Sequence, residues 1–162
     1  MVAPDEGAVK NNFRIARKLG CPCASIFKHR IDANKIDTMK LIGEVKNKVV
    51  ILVDDIIDTA GTACTASKLL KKEGAKEIYF FACHGLLSGK AIENINNSEF
   101  TKLIITNTLP NNKEIYDNPL IDIIDVSWLC SQAIKRQIEG LSLIDLYNED
   151  IFNRLDSKLV LL

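Results

Sequence analysis

A strand, a helix and a second strand follow one another in the middle of this chain, and their order restricts the possible folds strongly. Val49 to Val53 and Glu77 to Cys83 are short runs rich in Val, Ile, Phe and Tyr, which is typical of buried strands. Between them, Thr62 to Lys72 carries apolar residues at helical spacing until Gly74 ends the pattern. Such a unit pairs its two strands in parallel through a right-handed crossover.

The same alternation continues on both sides of this unit. It predicts strands at Lys102 to Thr106, near Ala24 to Phe27 and near Asp122 to Val126, and helices over Gly7 to Leu19 and Ser127 to Glu139. Alternating strands and helices predict an α/β domain in which helices cover a parallel sheet in three layers. We assign residues 1–150 to this domain and residues 151–162 to a C-terminal tail.

The opening residues, Met1 to Asp5, look like the last residues of a strand followed at once by a loop and a helix. A strand that short is expected to be a poor member of a sheet. We therefore expect the chain to be a fragment that begins in mid-strand.

Charge and composition limit the possible partners. Lys and Arg total 21, as do Asp and Glu, so no net field attracts nucleic acid or an anionic membrane. No apolar run approaches the roughly 20 residues that a membrane-spanning helix needs. The five cysteines are an odd number without a secretory signal ahead of them, which favours a cytoplasmic protein. Any phosphate chemistry must therefore come from local groups.

The most informative run extends from Val49 to Thr62 and reads VVILVDDIIDTAGT. Asp54 and Asp55 follow a buried strand and precede a tight turn that opens a helix, and ligands of open α/β sheets bind at this edge. Backbone N–H groups at a helix start attract phosphate, and Gly61 lets the chain approach a ligand closely. The carboxylates can instead accept hydrogen bonds from ribose hydroxyls or hold a hydrated Mg²⁺.

Each part of this run also has a simpler interpretation. Asp54 and Asp55 could be a solvated strand end, and Asp58 or Thr59 could be a plain helix cap. The occurrence of all the parts in one run favours a sugar-phosphate site instead.

The run resembles the phosphoribosyl pyrophosphate-binding motif of type I phosphoribosyltransferases and ribose-phosphate pyrophosphokinases. Further segments resemble, in order, landmarks of the pyrophosphokinase C-terminal domain: Pro4-Asp5, Lys28-His29-Arg30 with Ala33-Asn34, Ile42 to Val45, Cys83 to Gly89, Thr106 to Pro110 and Ala133 to Arg136. This resemblance extends to about Tyr147. It implies the type I phosphoribosyltransferase fold and an enzyme that transfers diphosphate from ATP to ribose 5-phosphate, which gives phosphoribosyl pyrophosphate for nucleotide biosynthesis.

The resemblance implies a sugar-phosphate site in the motif itself. The 5-phosphate of ribose 5-phosphate would be bound by the five residues of the turn, Asp58, Thr59, Ala60, Gly61 and Thr62. Asp54 and Asp55 would face the ribose hydroxyls. Ribose 5-phosphate is therefore the substrate expected for this part of the chain.

Three further positions match metal-binding and catalytic residues of the family. Asp5 would help to hold the Mg²⁺ that accompanies ATP, although a helix cap is an equally good interpretation of this residue. Lys28 and Arg30 would be catalytic cations on a mobile loop that closes over the triphosphate and stabilises developing negative charge. Without the resemblance, these two cations would be interpreted as a solvated strand end.

The sequence departs from the family in several places. Gly7-Ala8 stands where Gly-Gly is usual, Asn11 stands at a usually basic position, and Ile144 replaces one of two serines of a regulatory phosphate site. The N-terminal half of the family enzyme, which provides most of the ATP site, is absent from these 162 residues. We expect the full-length protein to be the kinase and a homo-oligomer, and this chain alone to be inactive.

Two alternatives stay open. A phosphoribosyltransferase of nucleotide salvage uses the same motif, but it usually carries a base-binding element, and no such insertion is evident. A non-catalytic regulatory subunit associated with the synthetase would share the fold. The intact Asp54-Asp55 pair, Lys28 and Arg30 argue against this second alternative.

Overall fold

The fold is that of a computed structural model, which describes residues 1–29 and 38–147. The predicted tail, residues 151–162, lies outside them. The described strands are β1 (Val2–Ala3), β2 (Ala24–His29), β3 (Thr38–Ile42), β4 (Val49–Ile57), β5 (Glu77–Gly85), β6 (Lys102–Thr106) and β7 (Ile121–Ile124). The helices are α1 (Val9–Lys18), α2 (Gly61–Lys72), α3 (Ala91–Asn96), α4 (Lys113–Tyr116) and α5 (Ser127–Ile138), followed by a 3₁₀ turn at Ile144–Tyr147. Among the described helices, none has both the length and the apolar character needed to cross a membrane.

The described strands form one sheet in the order β3-β2-β1-β4-β5-β6-β7. Neighbouring strands are parallel except for β2 and β3, which are antiparallel. The predicted α/β class with a parallel sheet is therefore confirmed. The unpredicted strand β3 adds an antiparallel edge, which is common on otherwise parallel sheets.

The chain order explains why the sheet is covered on both faces. β1, α1 and β2 step in one direction across the sheet, whereas β4, α2 and β5 step in the opposite direction. Because crossovers between parallel strands are right-handed, α1 and α2 lie on opposite faces. This arrangement gives the three predicted layers.

The central strands supply the core because helices cover both of their faces. Leu52 of β4, Phe80 of β5 and Leu103 of β6 are fully buried, and Leu70 of α2 belongs to the same apolar cluster. Gly74 takes a positive φ of 86° just after α2, so it ends the helix as the sequence predicts.

Strand β4 is longer than predicted, which changes the position of the acidic pair. The strand continues through Asp54 and Asp55 to Ile57, so both carboxylates lie on the strand rather than after it. Pairing with β5 continues as far as Ile57 and Gly85, which explains the extension. Helix α2 begins at Gly61, one residue before its predicted start. The short helices α3 and α4 are too brief to show a helical period in the sequence.

Strand β1 is only two residues long, yet it lies in the middle of the sheet. Val2 and Ala3 are 1% and 0% exposed, and both pair with β2. On the other side, Val2 pairs with Leu52 of β4. The expectation that such a short strand would be a poor sheet member is wrong, because β1 is paired on both edges and fully buried.

Candidate functional site

The strand order reverses between β1 and β4, so the carboxyl ends of these strands open a crevice at the ligand-binding edge of the sheet. Pro4 and Asp5 follow β1 on one side of this crevice, and the end of β4 with the loop after it forms the other side. A cleft of about 220 Å³ lies between them. Its polar lining includes Asp5, Asp54, Asp58, Thr59, Gly61 and Thr62.

The loop between β4 and α2 leaves backbone donors without protein partners beside the cleft. Ala60 adopts the left-handed conformation, with φ 60° and ψ 0°, which costs a residue other than glycine about 1–2 kcal/mol. Within the described part of the chain, the N–H groups of Thr59, Ala60 and Gly61 donate to no protein oxygen. Free N–H groups at a helix start form a binding site for an anion. The local geometry therefore suits a phosphate group.

Gly61 is not required by the backbone conformation or by packing. The left-handed residue of the turn is Ala60 rather than Gly61. A Cβ added at Gly61 would meet Thr59 Oγ1 at 3.9 Å and nothing closer. The space next to Gly61 is therefore open to the cleft, so the missing side chain leaves room for a ligand atom.

Residues from the segment between β5 and the end of α3 support this loop. The Ser88 hydroxyl donates to Oδ1 of Asp58, and Nδ2 of Asn94 donates to the Thr59 carbonyl at 2.8 Å. The sequence indicates the Cys83 to Gly89 segment as a family landmark but does not predict these contacts. They join residues about one strand and one helix apart, and no local pattern reveals such a pairing.

Asp54 and Asp5 bring negative charge to the same cleft. Oδ1 of Asp54 accepts a hydrogen bond from the N–H of Asp55 at 3.0 Å. Partial burial of the Asp54 carboxyl, followed by the nearby charges of Asp5 and Asp55, raises its pKa to about 6. A carboxylate that is costly to ionise in the free protein is stabilised by a bound cation or by hydroxyl donors.

Asp5 caps a turn and is also a candidate metal ligand. Its Oδ1 accepts a hydrogen bond from the N–H of Ala8 at 2.9 Å, which agrees with the cap interpretation for one oxygen. Across the described ranges, no three His, Cys, Asp or Glu side chains converge on a metal position. Mg²⁺ often uses one or two carboxylates together with substrate phosphates, so Asp5 and Asp54 fit that cation as a pair.

Strand geometry separates Asp55 from Asp54. Successive side chains of a strand point to opposite faces. Asp54 lines the cleft beside the turn and also a larger adjoining cleft of about 360 Å³, which Asp5 and Asp55 also line. Gly7, Ala8 and Asn11 line that second cleft as well. The two carboxylates predicted on the ribose side therefore share the adjoining cleft, and Asp54 of this pair also lines the cleft beside the turn.

The first of the two predicted catalytic cations lies in a strand that ends at the same edge of the sheet as the cleft. Lys28 belongs to β2, which runs parallel to β1 and so ends on the side where the cleft lies. The side chain of Lys28 and the whole of Arg30 lie outside the described residues. Their assignment stays a prediction.

Asn12 is a candidate residue that the sequence analysis missed. It lies in α1 and is 0% exposed. Its side-chain amide donates to the carbonyl groups of Ala8, at 3.0 Å, and Val53, at 2.7 Å. It also accepts a hydrogen bond from the N–H of Val53 at 3.3 Å. An amide on the buried face of a helix is the signal that points to this residue.

Comparison with known proteins finds relatives over most of the chain. Residues 22–148 match the family model described as phosphoribosyl synthetase-associated domain. Ribose-phosphate pyrophosphokinase A of Dictyostelium discoideum and the ribose-phosphate pyrophosphokinase of Aquifex aeolicus are each 40% identical over 149 residues, covering 92% and 91% of this chain. The crystal structure of phosphoribosylpyrophosphate synthetase from Mycobacterium smegmatis matches with a TM-score of 0.78 and 34% identity, over 86% of this chain and 44% of that chain. The chain spans about half the length of the curated relatives, 47% of each.

Proposed function

The chain belongs to the phosphoribosyl synthetase-associated domain family, and on that basis we propose that it is the C-terminal, sugar-phosphate-binding half of a ribose-phosphate pyrophosphokinase. The full-length enzyme would transfer diphosphate from ATP to ribose 5-phosphate and form phosphoribosyl pyrophosphate for nucleotide biosynthesis. The names of both curated relatives support this activity. The observation that carries the proposal is one cleft in which free backbone N–H groups lie beside a carboxylate.

Ribose 5-phosphate has an anionic group at one end and hydroxyl groups at the other, which matches the two ends of the cleft. We assign the 5-phosphate to residues 58–62, where backbone N–H groups donate to it. The ribose hydroxyls would donate to Asp54 and, from the adjoining cleft, to Asp55. An inorganic phosphate lacks the hydroxyl groups and carries charge that the carboxylates oppose. The sugar phosphate should therefore bind more tightly than inorganic phosphate.

Asp5 and Asp54 are the residues that we assign to Mg²⁺. Both line the cleft, and carboxylate oxygens are ligands that this cation prefers. When bound, Mg²⁺ supplies charge neutralisation for the phosphates of ATP. A cation near Asp54 also offsets the repulsion from Asp5 and Asp55 that contributes to the raised pKa of Asp54.

Lys28 and Arg30 are our assignment for the catalytic cations. Lys28 lies in β2, which ends at the edge of the sheet where the cleft lies, and Arg30 follows β2 in the sequence. Transfer of a diphosphoryl group concentrates negative charge around the β-phosphorus of ATP, and two cations at that position stabilise it. ATP would be bound mainly by the N-terminal half of the enzyme, so the 162 residues alone should be inactive.

We further propose the domain organisation, the oligomeric state and the cellular location of the enzyme. Residues 1–150 form the sugar-phosphate domain, and residues 151–162 form a tail. The enzyme works as a homo-oligomer in the cytoplasm, without a nucleic-acid or membrane partner. The free thiols of the cysteines in the described residues agree with a reducing compartment.

Calorimetric titration of the chain tests the proposed site. We expect ribose 5-phosphate to bind more tightly than inorganic phosphate, and ribose without its phosphate to bind most weakly. Equal affinity for the two phosphates, or binding of neither, would contradict the assignment. A salvage phosphoribosyltransferase would instead release pyrophosphate from phosphoribosyl pyrophosphate when a purine or pyrimidine base is added, so a panel of bases tests that alternative.

A further inference from the structure

We infer that Asn12 is a positioning residue that fixes Asp54 relative to Asp5 across the crevice between β1 and β4. The inference rests on the proposed function, because the relative placement of these carboxylates matters when the cleft holds a sugar phosphate and its cation.

The sheet lacks one hydrogen-bond donor beside Val53. β1 and β4 pair in parallel with Val2 opposite Leu52, so the next pair along the strands would be Ala3 and Val53. The N–H of Ala24 donates to the Met1 carbonyl, so alternate residues of β1 face β2, and Val2 and residue 4 face β4. The carbonyl group of Val53 would therefore accept a hydrogen bond from the backbone N–H of residue 4. Residue 4 is Pro4, which has no backbone N–H. The acceptor next to the cleft therefore has no donor from β1.

The side chain of Asn12 takes the place of the missing donor. Its Nδ2 lies 2.7 Å from the Val53 carbonyl oxygen, and its Oδ1 lies 3.3 Å from the Val53 nitrogen. One amide thus contacts both backbone groups of Val53, donating to the carbonyl and accepting from the N–H. The same Nδ2 donates to the Ala8 carbonyl at 3.0 Å. An amide side chain carries two donors and an acceptor, and a serine hydroxyl or a carboxylate cannot make all three bonds.

These bonds connect the two acidic residues of the cleft. The N–H of Ala8 donates to Oδ1 of Asp5 at 2.9 Å, and the Ala8 carbonyl accepts from Asn12. Asn12 bonds in turn to Val53, the residue before Asp54. A continuous series of hydrogen bonds therefore runs from Asp5 to the backbone that carries Asp54. Removing its central amide should loosen one carboxylate relative to the other.

The phosphate loop is supported by a separate set of contacts. Ser88 donates to Asp58, and Asn94 donates to the Thr59 carbonyl. These bonds share no residue with the series through Asn12. Loss of Asn12 should therefore lower the affinity for a ligand that contacts both the loop and Asp54. It should leave unchanged the affinity for a ligand that contacts the loop alone. A residue with a purely structural role would not distinguish the two ligands.

Asn12→Leu provides the test, because leucine has the same branching at Cγ and removes all three hydrogen bonds. We expect the affinity for ribose 5-phosphate to fall about tenfold, while that for inorganic phosphate changes less than about twofold. Asn118→Leu is a matched control. Asn118 is also buried, donates to Asn96 Oδ1 at 3.0 Å and precedes β7, so it lies at the opposite edge of the sheet. Its replacement should leave both affinities unchanged.

Pro4→Ala offers a rescue, since it supplies the backbone N–H that the ladder lacks. In the Asn12→Leu background, this second change should recover about threefold of the affinity for ribose 5-phosphate. If Asn12→Leu does not fold, Asn12→Ser allows the same comparison. Unchanged binding of ribose 5-phosphate by the folded variant, or an equal loss for both ligands, would overturn the positioning role. A wild-type chain that binds neither ligand would contradict the proposed function and the inference with it.

Discussion

The two sides of the cleft are built in different ways. The phosphate side is almost contiguous in the sequence, because residues 58–62 form the turn and α2 continues directly from it. The acidic side is assembled from distant parts of the chain, since Asn12 contacts Val53 across 41 positions. A local motif can therefore predict a candidate anion site, whereas the placement of the carboxylates depends on the register of the central strands.

The two sides also differ in the polar groups that they leave for a ligand. Hydrogen bonds from Ser88 and Asn94 hold the turn in shape, and its free N–H groups can donate to an anion. On the acidic side, burial and like charges raise the pKa of Asp54, so ionisation there is costly. Changes on one side should consequently affect different ligands from changes on the other.

The largest expected effect concerns diphosphate transfer from ATP, which the two sides of the cleft cannot perform without an ATP-binding half. Placing ATP against the sugar can account for about 7–11 kcal/mol of the barrier, so the 162-residue chain should form no measurable phosphoribosyl pyrophosphate from ATP and ribose 5-phosphate. Release of AMP is the quantity to measure. Adding an N-terminal half from a related pyrophosphokinase should restore some turnover. Rapid turnover by the chain alone would show that it contains an ATP site of its own.

The acidic side can be tested by replacing its paired carboxylates. Asp54→Asn combined with Asp55→Asn should weaken ribose 5-phosphate binding about tenfold to a hundredfold, because losing one charged hydrogen bond costs about 1.5–3 kcal/mol. Binding of inorganic phosphate should not weaken, since two repelling charges are removed. Calorimetry measures both affinities, and circular dichroism checks the fold. Equal affinity for the sugar phosphate before and after would remove Asp54 and Asp55 from the sugar site.

A change on the phosphate side should instead affect the binding of both ligands. Gly61→Val fills space that is open to the cleft, so it should lower the affinities for ribose 5-phosphate and for inorganic phosphate, each by about tenfold. Lys72→Val is the matched control, because Lys72 is exposed at the far end of the same helix. A Gly61→Val variant that loses affinity for ribose 5-phosphate and keeps it for inorganic phosphate would contradict a separate phosphate side of the cleft.

The smallest expected effect is on stability. The pKa of Asp54 is raised from 3.8 to about 6, so the folded protein holds this proton more tightly than the unfolded chain does. The resulting stabilisation is complete below about pH 4 and is lost as the pH rises through about 6. Relative to Asp54→Asn, the wild type should lose about 1 kcal/mol of unfolding free energy over that window, a value reduced because Asp54 is partly exposed. Urea denaturation at several pH values would detect this, and a difference independent of pH would contradict it.

The position of the turn at residues 58–62 could be predicted from the sequence because the turn follows a buried strand and opens a helix. β6 has the predicted bounds of Lys102–Thr106 for the same local reason. Phosphate binding by the turn stays a prediction. The support of the acidic half could not be predicted. It depends on which residue of β1 lies opposite Leu52 and on the missing N–H of Pro4, and both are properties of the assembled sheet.

A crystal structure of the chain with ribose 5-phosphate would show directly whether the cleft binds the sugar phosphate. We expect the phosphate within hydrogen-bond distance of the N–H groups of Thr59, Ala60 and Gly61, with the ribose hydroxyls directed towards Asp54. A sugar phosphate bound elsewhere on the protein, while the cleft between β1 and β4 remains open, would contradict it.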